Sequence, residues 1–274
     1  MFTPVAPILA APPTTGLVVS AVTPPEGERW ESGLAWVPER CGASYQLVPW
    51  CTVTDPDPFS GDGLAAVYYR PPGARFSVTC STLGGGINSE RVLRLVNAST
   101  PYLIARELWA GEMAQADPYD APYGSTQTMN HWLAGDNAVT VGTAAPALAA
   151  IGRLEHSAGA AAHGQQIMLH IPRLVLPALW GYVRRVGPLL LTPTDNVVVA
   201  DAGYDGSGPA GEVPGATVWA YATTVVQVRT SQTLIIDDPG QTVDRSTNTH
   251  TVWAERVWAA TFDPCCHFAT EITV

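Results

Sequence analysis

From Trp30 to Leu83 the apolar positions fall in short runs and in strict alternation. Leu34, Trp36 and the run Val67–Tyr69 are bounded by Gly, Pro and Asp, while Phe76, Val78 and Cys80 alternate with Ser77 and Thr79. A period of two belongs to strands with one buried face. Pro71-Pro72-Gly73 separates two of these runs, so Ala65–Arg70 and Arg75–Thr82 are expected to form a hairpin with a longer loop. The Asp-, Pro- and Gly-bearing stretch Thr54–Gly63 is expected as a loop. Residues 1–28, rich in Pro, Thr and Ala and without periodicity, read as an extended arm with no core of its own.

After Gly84-Gly85-Gly86 the period changes. Asn88 or Ser89 offers an N-cap, Glu90 sits in the first turn, and Val92, Leu93, Val96, Leu103, Ile104 and Leu108 follow at helical spacing up to a terminator at Gly111. Pro101 interrupts this longest helical signal, which predicts a kink or short break there, with Thr100 as the cap of a second segment. Pro146–Ala161 reads as a helix with Leu148, Ile151 and Leu154 on its inner face. A further helix is predicted from Pro172 to Tyr182, burying Leu176, Leu179 and Trp180. Strands are predicted at Gln166–Ile171, Leu189–Thr192, Val197–Ala200, Thr217–Thr223, Val225–Thr230, His250–Thr261 and His267–Val274, with residues 116–142 mixed and Asp201–Gly215 a glycine-rich loop. This order gives an α+β class with no βαβ repeat and no internal repeat.

Composition adds an interface argument. Hydrophobic residues make up 46% of the 274 residues and charged ones only 14%, with nine Trp. Soluble domains carry about 25% charge, so this chain has little charged surface, and copies of itself are the simplest cover for the rest. The net charge is −10, and all fourteen basic residues are Arg. That balance disfavours a sequence-independent grip on phosphate backbones, and the missing Lys excludes Schiff-base and P-loop chemistry. Pro4, Pro7, Pro12 and Pro13 and the missing positive n-region argue against a signal peptide. No apolar run is long enough to span a membrane. A cytosolic origin with mostly reduced thiols fits the five Cys.

The chemical constellations are weak. Cys265-Cys266-His267 is the most tempting, but adjacent residues of a strand project to opposite faces, and no C-x-x-C occurs, so buried structural cysteines are the better reading. Cys41 and Cys51 read as two thiols in a β region, and Cys80 has no evident mate. His156, His163 and His170 lack the i, i+4 spacing of helical metal ligands and read as solvent-facing. No G-x-S-x-G, G-K-[ST] or G-x-G-x-x-G pattern is present. No catalytic, cofactor or metal residue is assigned. The aromatics carry more weight: Trp36, Tyr68, Tyr69 and Phe76 fall on the predicted hairpin, and Arg70 and Arg75 flank its Pro-Pro-Gly turn. A lone hairpin is marginal in water, so these six are candidate contacts with a neighbouring acidic copy.

Four stretches carry a resemblance: Tyr69-Arg70-Pro71 with Cys80-Ser81-Thr82-Leu83-Gly84; Ala105-Arg106-Glu107-Leu108-Trp109-Ala110-Gly111; Ile167-Met168-Leu169-His170-Ile171-Pro172, continued by Thr192-Pro193 and Val197 to Tyr204; and Ala254 to His267. In that order, from about residue 30 to the C-terminus, they resemble the major capsid proteins of tailed phages of actinobacteria, whose fold encapsulins share. The resemblance implies an N-terminal arm (1–29), an E-loop with flanking β region (30–85), a spine helix with part of the P-domain (86–142), an A-domain (143–230) and P-domain strands (231–274). It implies a structural protein rather than an enzyme, self-assembling through hexamers and pentamers into an icosahedral virion shell in the host cytoplasm. Portal, scaffold and cement proteins are its implied partners. DNA would be enclosed without specific binding, and no cofactor or membrane is involved. The chain departs from the pattern at Pro101, and without Lys the Lys–Asn cross-link of one branch of the family cannot form. The alternatives are an encapsulin-like cargo shell or other virion part, and a cytosolic hydrolase or metalloenzyme using Cys265 and His267.

Overall fold

The computed structural model describes residues 13–24, 29–36, 67–81, 89–116, 131–237 and 242–274. The loop expected at 54–63, together with Cys41 and Cys51, lies outside them. Two large β-sheets, a two-stranded ribbon and one long helix organise the described residues. The larger sheet has eight strands: β4 (Val139–Thr140), β5 (Ala145–Pro146), β6 (Met168–Pro172), β7 (Arg184–Val186), β8 (Leu189–Leu191), β9 (Val197–Asp201), β10 (Thr217–Thr223) and β15 (His267–Thr273). Their spatial order is β4-β15-β10-β6-β9-β8-β7, with β5 also on β15. Helix α4 (Ala147–Ala161) covers one face, burying Ala150, Ile151, Leu154 and Ala158 against Leu169, Ile171, Val198, Ala220, Ala222 and Ile272. The central strands β6 and β9 are buried at every position. Sheets covered on both faces give near-continuous apolar strands of this kind.

The second sheet is built on β14 (Thr249–Thr261), thirteen residues long. It pairs on one side with β3 (Gly73–Ser81) and on the other with β11 (Gln227–Thr230), β12 (Leu234–Ile236) and β13 (Val243–Asp244). Helix α2 (Ser89–Ala110) joins the two sheets. Its first half packs Val92 and Val96 on Val252, Ala254, Phe76 and Val78 of the second sheet. Its second half puts Ile104, Ala105, Leu108 and Trp109 into the main core with Tyr204, Trp219, Tyr221 and Trp258. β14 spans the same gap, since Trp258 and Ala260 also belong to the main core.

Pro101 sits inside α2 without breaking it. Proline removes one N–H from the helical ladder. The carbonyl deprived of its donor is that of Asn97, on the exposed side where water can replace the bond. Thr100 does not cap a second helix; its hydroxyl donates to the carbonyl of Val96 at 2.7 Å. Packing of both halves against different sheets holds the helix through the proline. Gly111 ends α2 as expected, with φ of 62° and its N–H on the carbonyl of Glu107. The carbonyls of Leu108 and Trp109 are then taken by the N–H groups of Leu133 and Ala134 at 2.8 and 2.9 Å. A short helix, α3 (Glu112–Ala116), follows. Two of its N–H groups, on Met113 and Ala114, donate to the buried carboxylate of Glu107.

Further expectations are corrected. The arm has a core anchor: α1 (Leu17–Ser20) buries Leu17 completely in the main core, and Val22 bridges to β11. The predicted hairpin does not form: β2 (Val67–Tyr69) pairs with β1 (Leu34–Trp36), and β3 pairs with β14. Pro71 and Pro72 between them offer no N–H for a turn closed by backbone bonds. Leu148 and Trp180, expected inside, are 53% and 66% exposed. The helix expected from Pro172 to Tyr182 shrinks to a 3-10 turn and the single turn α5 (Leu176–Leu179). The sheets also cut across the boundary expected at residue 231, because β11 joins the second sheet and β15 returns to the first.

Candidate functional site

The six candidate contact residues fall on two separate elements. Trp36 and Tyr68 are half-buried on the β1–β2 ribbon, and Arg70 is exposed just beyond it. Tyr69 points inward, is only 4% exposed, and its hydroxyl accepts from the N–H of Ala260 at 3.4 Å. Burial pushes its phenol well above the usual range. Arg75 and Phe76 lie on β3. The Arg75 guanidinium pairs with Glu255 of its own chain, Nε to Oε1 at 2.6 Å. Phe76 packs on the Val92–Val96 face of α2. The structure therefore brings together Trp36, Tyr68 and Tyr69, and places Arg75 and Phe76 with them neither in sheet nor in packing partners.

The Cys265-Cys266-His267 cluster is divided by the sheet. Cys266 belongs to the α4 face, with its thiol 3.6 Å from the carbonyl of Ala158. His267 turns to the other face, where its ring meets Phe262 and Tyr221. Its Nε2–H donates to the carbonyl of Leu133 at 2.9 Å, and its buried Nδ1 has no hydrogen-bond partner among the described residues. Cys265 is disulfide-bonded. A nucleophile needs its base within hydrogen-bond reach, and the sheet turns Cys266 and His267 to opposite faces. Among the described residues no group of three or more His, Cys, Asp or Glu could hold a metal ion, and no helix is long and apolar enough to cross a membrane.

His156 and His163 are exposed, as expected, but His170 is fully buried. Its hydrogen bonds fix its tautomer. The Thr223 hydroxyl donates to the carbonyl of Thr224 at 2.7 Å, so it can only accept from His170 Nε2–H at 2.9 Å. Nδ1 must then accept from the Tyr204 hydroxyl, also at 2.9 Å. This relay ties β6, β10 and the loop after β9 together around a neutral imidazole. Burial, and secondarily the nearby His267, depress the His170 pKa to about 3. Burial likewise lowers His267 to about 4. The apolar run on both sides of His170, Ile167 to Ile171, was the signal that it lies in a strand buried on both faces.

Two carboxylates escaped the sequence reading. Asp201, at the end of β9, accepts from the N–H of Leu17 at 2.9 Å and from that of Gly203 at 3.0 Å, which pins α1 to the larger sheet. Gly203 lies so close to α2 that a Cβ there would come within 2.7 Å of the Tyr102 carbonyl. Glu155 on α4 accepts from Thr192, Thr194, Asn196 and Tyr182 at 2.6 to 2.8 Å, which anchors the β8–β9 turn. Burial pushes its pKa up, but these four donors outweigh that and hold it below the usual range. Both are packing anchors rather than a reactive pair.

No family model matches the sequence, and no curated protein matches it. Solved structures do. The chain superposes on the capsid of the native GTA particle with a TM-score of 0.59 at 8% identity, covering 100% of this chain and 94% of that one. Mycobacterium phage Ogopogo matches with 0.54 at 12% identity over 97% and 94%. The capsid of Ralstonia phage GP4 matches with 0.53 at 9% identity over 99% and 94%. The chain has the tailed-phage major capsid fold. The α+β order, the long spine helix α2 and the two sheets are the parts of that fold described above.

Proposed function

We propose that this chain is the self-assembling subunit of an icosahedral capsid shell that encloses a phage genome. The observation that carries this reading is the capsid fold, matched over almost the full length of both chains. The composition supports it. Only 14% of residues are charged, and Trp180, Leu174 and Leu148, on α4 and at the ends of α5, stay more than half exposed. On this reading these side chains are part of the surface that neighbouring copies cover.

On this reading the larger sheet with α4 and α5 is the A-domain and meets its counterparts around the capsomer centre. The second sheet with the first half of α2 is the P-domain and meets other capsomers. The β1–β2 ribbon is the base of the E-loop, with Trp36, Tyr68 and Arg70 as its candidate contacts. Tyr69, Phe76 and Arg75 serve the chain's own packing. Hexamers and pentamers of the chain, with portal, scaffold or cement proteins, would complete the particle, assembled in the host cytoplasm and maturing as the virion shell. A chain of net charge −10 lines a lumen without gripping the phosphate backbone. Negative-stain electron microscopy of the purified protein, expressed alone and with its neighbouring structural genes, tests this. Closed shells are expected, and packaged protein in place of DNA would transfer the reading to a cargo shell.

A further inference from the structure

The C-terminus of α2 is gripped by the segment around Leu133. The N–H groups of Leu133 and Ala134 take the carbonyls of Leu108 and Trp109 at 2.8 and 2.9 Å. From the other side, Nε2–H of His267 donates to the carbonyl of Leu133 at 2.9 Å. Leu133 is fully buried, so both its backbone groups need partners. His267 opens β15 and stands opposite Thr223 of β10. The path from α2 through Leu133 to His267 therefore fastens the end of the long helix to the larger sheet through an imidazole.

Any buried N–H donor would satisfy that carbonyl, but an imidazole can also take up a proton near neutral pH. His267 is 1% exposed, and its Nδ1 has no hydrogen-bond partner among the described residues. A second proton there would bury a cation whose new N–H meets no acceptor, which is strongly unfavourable. The surroundings offer no relief. Phe262 of β14 and Tyr221 of β10 face the ring, with centroids at 5.1 and 5.9 Å. The Tyr221 hydroxyl is committed to the carbonyl of Ser207 at 3.0 Å. His131, two residues before Leu133, and His170 on β6 repel it when charged. Among the described residues no carboxylate acts on the ring. Glu107, beside Leu108 on α2, serves Met113 and Ala114 instead, and burial raises its pKa, so acid does not loosen it in the same way.

We propose that His267 is a proton-operated clasp: charging its ring releases the Leu133–Ala134 segment and frees the end of α2 from the larger sheet, while both sheets stay folded. The closed clasp holds the imidazole neutral, with its pKa below that of a solvated histidine, so the open clasp takes the proton first as pH falls. Opening is local because the strands do not depend on it. β15 keeps seven residues in register with β10, and β14 keeps nine with β3. Cys266 and Ile272 stay packed on the α4 side of the sheet. The carbonyls of Leu108 and Trp109 return to water, as the last carbonyls of an exposed helix end do. The clasp sits where α2, which joins the two sheets, meets the larger one, so its state governs how firmly that joint is held. The proposal does not depend on the chain forming shells.

Residue-resolved amide exchange on dissociated subunits, expressed as protection factors from pH 7 to pH 5, tests it. Leu133 and Ala134 are expected to lose at least tenfold in protection over that range, from the linkage of one proton between a solvated pKa of about 6.5 and a lower buried one. Their protection should stay below that of Val252 throughout, with the far-ultraviolet circular dichroism unchanged. Protection that does not change with pH overturns the proposal. So does convergence on the Val252 value, which would make global unfolding the only opening. His267→Gln keeps an N–H donor for the Leu133 carbonyl and cannot take the proton. In that folded variant the protection of Leu133 and Ala134 should agree within twofold at the two pH values. His170→Gln leaves the clasp in place and should retain the wild-type dependence. Wild-type dependence in His267→Gln, or its loss in His170→Gln, assigns the titration elsewhere and contradicts the proposal. The wild-type series decides the question if neither variant folds.

Discussion

The backbone N–H of Leu17 donates to the carboxylate of Asp201 across 184 residues of sequence, at 2.9 Å. That one bond converts the N-terminal segment from a tail into part of the main core, since it seats the fully buried Leu17 beside α2 and β9. Bonds to a charged acceptor contribute about 1.5–3 kcal/mol each. Asp201→Ala removes two, at Leu17 and Gly203, and is expected to lower subunit stability by about 3 kcal/mol. Chemical denaturation of dissociated subunits measures it. Asp201→Asn, which keeps an acceptor oxygen, should lose less. In both variants the Leu17 amide should exchange faster than in the parent.

The buried imidazoles predict acid sensitivity. Burial pushes the folded pKa values of His170 and His267 down to about 3 and about 4, below the ordinary imidazole value of 6.5 that they regain on unfolding. Between these limits the unfolded chain binds more protons, so stability falls as pH drops from about 6.5 towards 4. Each His contributes a slope of up to about 1.4 kcal/mol per pH unit. Urea midpoints at pH 7 and pH 5 should show the loss. His170→Gln should be destabilised at pH 7, with Tyr204 and Thr223 imperfectly paired, and show a shallower slope. An unchanged slope in that variant would remove His170 from the explanation.

Glu155 accepts from four neutral donors, three of them in the β8–β9 turn. Glu155→Gln replaces a carboxylate oxygen that takes three of them, from Thr192, Thr194 and Asn196. The expected cost is about 1–3 kcal/mol, seen as a lower Tm. Faster amide exchange should be confined to residues 192–197.

Gly111 carries a positive φ, and a Cβ there would stand 2.4 Å from the indole of Trp132. Gly111→Ala therefore combines left-handed strain of about 1–2 kcal/mol with a steric clash against a ring. It is expected to destabilise the subunit and to raise the exchange of the Leu133 and Ala134 amides, whose acceptors end α2.

Much of this was legible in the sequence, and the parts that were not have physical reasons. The alternation at Phe76, Val78 and Cys80 identified β3 correctly, because a strand's buried face is a local property. Its partner was misread: pairing with β14 lies some 170 residues away, and the nearer run at Val67–Tyr69 looked like the natural mate. Pro101 was read by propensity, but packing of α2 against both sheets overrides it. His170 was read from spacing to other histidines, when the apolar neighbours on either side already placed it in the interior. Arg75 was assigned to a neighbour because its counter-ion, Glu255, is distant in sequence and adjacent only once β3 and β14 pair. The capsid fold itself was visible through the order of its motifs rather than through any one of them.

A cryo-electron microscopy reconstruction of particles formed by the purified chain tests the central claim most directly. The account predicts a closed icosahedral shell in which each copy keeps the two sheets joined by α2 and neighbouring copies cover the exposed residues Trp180, Leu174 and Leu148. A protein that stays a 29.0 kDa monomer across pH, salt and co-expression conditions, with those side chains left in water, would contradict it.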